Sequence, residues 1–99
     1  MILIEFIWDD EAQVWIAIGE GIGLALESKS YDMLVERVKL AVPEMAAENN
    51  ISYSNIVIIV KENPYYVVTN IINGIASQGL TIDEALANLK EATELYYEK

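Results

Sequence analysis

The chain has 99 residues, 54% of them hydrophobic, and carries 16 acidic side chains against 6 basic ones for a formal net charge of −10. That length suits a single domain, the apolar content is too high for a disordered chain, and no apolar run approaches the roughly 18 residues of a membrane span. One arginine, Arg37, and five lysines are too few to neutralise a nucleic-acid backbone, so direct DNA or RNA binding is not expected, and a basic protein partner suits the charge.

The opening "MILIEFIW" is apolar, but it has no basic leader, contains Glu5 and runs straight into "DDE", which predicts a strand rather than a signal peptide. With no cysteine for disulfides or thiolate metal sites, the expected location is the cytoplasm. The polar turn "DDEAQ" separates this strand from "VWIAI", which predicts a hairpin, and a third, less apolar strand, "GLALES", begins at Gly23. From Ser30 the period changes: Leu34, Val38, Ala41 and Met45 recur at helical steps with Asp32 in the first turn, and Pro43 is expected to kink or stop that helix. The polar, Asn-rich "AAENNISYSN" reads as a connection.

The same order of elements then returns. "NIVIIV" and "YYVVT" flank the turn "KENP", where Pro64 belongs because it could not donate to a sheet ladder, and "GIASQG" predicts another short strand. Thr81 with Glu84 forms a capping-box pattern, and Ala85, Leu89, Ala92 and Tyr96 recur along the inner side of a second helix. Residues 5 to 44 align on 56 to 95 without a gap at a spacing of 51, with Ile7 on Ile58, Gly23 on Gly74, Asp32 on Asp83 and Lys39 on Lys90 among the identities. Duplication explains this. The expected architecture is α+β: one domain made of two tandem β-β-β-α units, residues 1–50 and 51–99, forming a largely antiparallel six-stranded sheet with two helices.

Six strands spaced about 4.8 Å apart make a sheet some 29 Å across, whereas two helices on one face would cover only about 20 Å of it. The runs "IVIIV" and "VWIAI" are apolar at successive positions, the pattern of strands buried on both faces. Another chain is therefore expected to close the helix-free face, either a second copy in a homodimer or higher oligomer, or a different protein. Trp8, Trp15, Tyr65 and Tyr66 are the candidate interface residues, although aromatic residues on strands more commonly just fill a core.

Little points to chemistry. Without histidine the usual proton shuttle and nitrogen metal ligand are missing, and neither a catalytic residue nor a cofactor or metal site is expected. "GEGIG" lies between two predicted strands rather than opening a helix, so it does not suit a pyrophosphate. "WDDEA" lacks the alternating spacing of a calcium loop and reads as a solvated turn.

The stretch "NGIASQGLTIDEALANLKEATELYYEK" resembles the amino-terminal domain of HicB antitoxins in its "NGIASQG", Thr81 and "DEALANLKEA" segments, and "WDDEAQVWIA" with "GIGLALES" resembles a HicB-related family of unknown function. The resemblance implies a partial ribonuclease H-like fold in which residues 55–60 serve both units, and neutralisation of a small basic HicA-type RNA-cleaving toxin by direct contact. Typical HicB proteins add a carboxy-terminal DNA-binding domain that these 99 residues do not match, so autorepression is not expected. The alternative is an orphan HicB-like protein that homodimerises or senses a small ligand.

Overall fold

The computed structural model describes residues 1–98. The elements follow in the order β1 (Ile2–Asp9), β2 (Val14–Gly19), a short 3-10 turn (Glu20–Ile22), β3 (Leu24–Ser28), α1 (Tyr31–Glu48), β4 (Ile56–Glu62), β5 (Tyr65–Asn70), β6 (Ala76–Gly79) and α2 (Ile82–Tyr97). The fold is α+β, with one six-stranded sheet in the order β3-β2-β1-β4-β5-β6. Every neighbouring pair is antiparallel except β1 and β4, which run parallel. Strand β4 pairs with both hairpins and so joins the halves into one sheet.

Elements 51 residues apart correspond: β2 opens at Val14 and β5 at Tyr65, while α1 opens at Tyr31 and α2 at Ile82. Gly23 and Gly74, also 51 apart, both adopt the left-handed conformation that favours glycine, with φ of 67° and 78°. The helix caps correspond as well, since Ser30 Oγ accepts from the Met33 N–H and Thr81 Oγ1 from the Glu84 N–H. Glu84 reaches back to the Leu80 N–H, one residue before the cap.

Neighbours on one face of the paired strands β1 and β4 differ by 54, an odd three residues from the repeat spacing of 51, so corresponding residues point to opposite faces of the sheet. The halves are thus related by a half-turn about an axis along the strands, and their helices lie on opposite faces. Helix α1 packs on Ile2, Ile4, Phe6, Ala17, Leu24, Ile56 and Ile58, whereas α2 packs on Val57, Ile59 and Val68 on the other side. This corrects the expectation that both helices share one face. The parallel register sets Ile4 beside Ile58, whereas the repeat matches Ile58 with Ile7. The halves therefore slide by three residues, about 10 Å, relative to a pure rotation.

Opposed helices also explain "IVIIV". Ile56, Val57, Ile58 and Ile59 are all buried, but the chain's own two helices do this, with no second chain needed. In "VWIAI" neither helix covers the second face, and Ile16 and Ile18 are only half-buried.

Helix α1 runs through Pro43 without stopping. Val42 and Ala46, either side of it, are fully buried, and that burial outweighs the one backbone hydrogen bond proline removes. The deeply buried stripe is Leu34, Val38, Val42 and Ala46, with Ala41 and Met45 at its margin, so "AAE" of the expected connection is helical. On α2, Ala85 and Leu89 are buried as the periodicity predicts, but Tyr96 is 64% exposed, because the last turns extend away from the sheet residues they would cover.

Candidate functional site

Each helix covers only its own half of the sheet, which leaves two bare areas of different character. Opposite α1, the uncovered face of β1, β2 and β3 presents Leu3, Ile7, Val14, Ile16, Ile18 and Ala25. The charged side chains on this face are Glu5, Asp9 and Glu27, with no lysine or arginine among them. Opposite α2, the corresponding positions Ile56 and Ile58 are buried under α1, so the open residues are Tyr65, Val67 and Thr69 of β5, Ala76 and Gln78 of β6, and Glu62 at the end of β4. That second area is smaller and more polar, and its one carboxylate, Glu62, stands at its end beside Tyr65.

The first face carries a trough along β1. At its amino-terminal end lies a groove of about 540 Å³ lined by Met1, Leu3, Glu5, Ile18, Ile22 and Ile59. At the carboxyl end, strands β1 and β4 stop pairing after Phe6 and Val60 although both continue, and they part around a cleft of about 410 Å³. Glu5 and Ile59 line both spaces, so the two adjoin there.

Three of the four aromatic candidates, Trp8, Trp15 and Tyr66, meet at this cleft; Tyr65 does not line it. Trp8 and Trp15 are cross-strand partners on the α1 face, with ring centroids 5.5 Å apart in a T-shaped arrangement. The chain of edge contacts continues from Trp15 to Tyr31 and on to Phe6, each at 5.3 Å. Trp15 is therefore partly a core residue, while Trp8 remains 41% exposed. Tyr66 faces the α2 side, where the Lys61 ammonium stands 5.4 Å from its ring centre. Burial, with the Glu62 and Asp32 carboxylates, holds the Tyr31 phenol above its ordinary value of 10.0.

Val14, Ile16 and Ile18 belong to the "VWIAI" run already expected to meet another chain, whereas Leu3 and Ile7 of β1 are not singled out by the sequence. Their signal was present: Leu3, Glu5 and Ile7 alternate with the buried Ile2, Ile4 and Phe6, and become meaningful once α2 is known to lie elsewhere. The acidic turn after β1 is a structural element, since Asp9 Oδ1 accepts from the Glu11 and Ala12 N–H groups. "GEGIG" forms the turn between β2 and β3.

The open edges of the sheet are guarded. Arg37 of α1 donates to the Glu27 carbonyl on β3, and Asn88 of α2, 51 residues later, donates to the Gln78 carbonyl on β6. Each bond engages one backbone carbonyl of an edge strand, which disfavours strand addition at that point.

Residues 1–62 match the model of a domain of unknown function, DUF1902. The chain belongs to the DUF1902 family. The matched segment runs from β1 to the end of β4, so it takes in the whole bare face, α1 and the strand shared by both halves. No curated protein matches the chain. Among solved structures it is similar to the hypothetical protein TTHA1013 from the extremely thermophilic bacterium Thermus thermophilus, at 27% identity and a TM-score of 0.52, over 61% of this chain and 87% of that one. Among the described residues, no helix is long and apolar enough to cross a membrane.

Proposed function

We propose that this DUF1902 protein is a HicB-like, antitoxin-type binding module of the cytoplasm that neutralises a small basic RNA-cleaving toxin of the HicA type by direct contact. The observation that carries this reading is the bare face of β1–β3, where open aliphatic side chains are accompanied by carboxylates alone. Such a surface gains from burial against apolar groups and from complementary charge on a basic partner. The net charge of −10 speeds the encounter. The module acts by occupying its partner rather than by catalysis, in keeping with a chain that has no histidine or cysteine.

A second copy suits the face less well. Pairing the face with itself would bring Glu5, Asp9 and Glu27 close to their own counterparts, and like charges in an interface oppose association.

Co-expression tests the reading. The reading predicts that a small basic protein is encoded beside this chain, that it arrests growth when produced alone, and that growth returns when both are made, with the two co-purifying at moderate salt. Persistent arrest, or separate elution of the two proteins, would refute it.

A further inference from the structure

We propose that Glu5 is the anchor of this face, its carboxylate receiving a guanidinium or ammonium from the basic partner while the surrounding aliphatic side chains close over the stem of that residue. This inference rests on the protein-binding reading above and names the contact at its centre.

The sheet register places Glu5 directly beside Ile18 on one neighbouring strand and Ile59 on the other. Along its own strand, Leu3 and Ile7 are the next residues on the same face. A single carboxylate therefore stands inside a ring of four aliphatic side chains. It also sits where the 540 Å³ groove and the 410 Å³ cleft meet, since it lines both. Glu5 forms no ion pair among the described residues: the one ion pair is Lys39 with Glu36, and Lys61, which lines the same cleft as Glu5, is turned to the Tyr66 ring.

Charge complementarity selects the occupant. An apolar partner group over Glu5 would strip water from a carboxylate and give nothing back, a large penalty. A long basic side chain instead lays its methylenes along Leu3, Ile7, Ile18 and Ile59 and delivers its charge at Glu5. Arginine suits this best, because its planar fork can bind a carboxylate with two hydrogen bonds and stack against the aromatic end of the trough. A water-excluding ring around one charged pair is also how interface hot spots are built.

The test uses the whole chain and short peptides that alternate leucine with arginine, together with versions carrying citrulline or glutamate in place of arginine. Trp8 and Trp15, the chain's two tryptophans, both line the cleft, so tryptophan fluorescence reports binding and backbone amide shifts locate it. The arginine peptide should bind saturably with shifts centred on Glu5, Ile18 and Ile59, and the citrulline peptide about tenfold more weakly. Glu5→Gln should weaken the arginine peptide to the citrulline level, while Glu91→Gln, the same charge change on exposed α2, should alter it by no more than about twofold. Equal effects of the two substitutions, or no saturable binding, would overturn the proposal. So would a Glu5→Gln chain that self-associates but binds arginine peptide as before, since Glu5 would then only keep the face soluble. Positive peptide results without any toxin partner would leave the anchor standing and remove the antitoxin reading.

Discussion

The two halves share one plan and spend it differently. In the first, α1 buries Leu34, Val38, Val42 and Ala46 against strands of both halves, including Ile56 and Ile58 of β4. In the second, α2 buries Ala85 and Leu89 and leaves Leu95, Tyr96 and Tyr97 exposed. The reverse faces differ in the opposite sense. Glu5 and Ile7 are open in the first half, while their counterparts Ile56 and Ile58 are buried in the second; Glu27 corresponds to the neutral Gln78. The half that supplies most of the core thus also carries the acidic aliphatic face, with the α1 layer packed on the other side of the same strands.

Core substitutions should break this contrast most severely. Leu34→Ala, at a fully buried position of the larger cluster, should cost about 3 to 4 kcal/mol in urea unfolding, and Leu89→Ala about 2 kcal/mol. Equal losses would mean that the two clusters contribute alike. Close packing of α2 on β6 comes next. A Cβ at Gly79 would lie 2.5 Å from the Ala85 nitrogen and 2.9 Å from the Glu84 carbonyl carbon, both backbone atoms, so Gly79→Ala should cost about 2 kcal/mol in a thermal melt. A Cβ at Gly19 would meet only side chains, the nearest being Ile4 Cδ1 at 2.6 Å, and Gly19→Ala should cost less.

The caps sharpen the comparison on a smaller scale. Ser30→Ala and Thr81→Ala should each lose about 1 kcal/mol, with the larger fall in helical circular dichroism for Thr81→Ala, because α2 has fewer buried residues to hold its first turn. The smallest effect is confined to alkaline pH. Tyr31 is favoured in its neutral form by burial first and then by Glu62 and Asp32, so the stability it contributes is complete below pH 10.0 and is lost as the pH rises through the higher folded-state value. Tyr31→Phe should lessen the decline in unfolding free energy above pH 10.0; an unchanged alkaline profile would show that other groups cause it.

Much of this fold is legible in the residues. The 51-residue repeat, the six strands, both helix starts and the shared role of residues 55–60 follow from periodicity, turn chemistry and resemblance. Which face each helix covers does not, because local patterns set a helix's apolar stripe but not the side of the sheet it crosses to. The register of β1 on β4 decides it: Ile58 pairs with Ile4, three residues from its repeat counterpart Ile7, and alternation then sends Ile7 and Ile58 to opposite faces. Pro43 misled for a related reason: its local penalty is real, but tertiary burial of Val42 and Ala46 decides the outcome. At the site, Trp8, Trp15 and Tyr66 were visible as aromatics, whereas Leu3, Ile7, Ile16 and Ile18 look like any core-strand residues until the helices are placed.

The most direct test places one charge on each bare area at corresponding positions. Ile16 lies on the acidic aliphatic face and Val67, 51 residues later, on its smaller counterpart. Ile16→Arg and Val67→Arg should fold alike, and calorimetric titration against the basic partner should show binding abolished by the first and kept by the second. Binding lost through Val67→Arg and retained by Ile16→Arg would contradict the account.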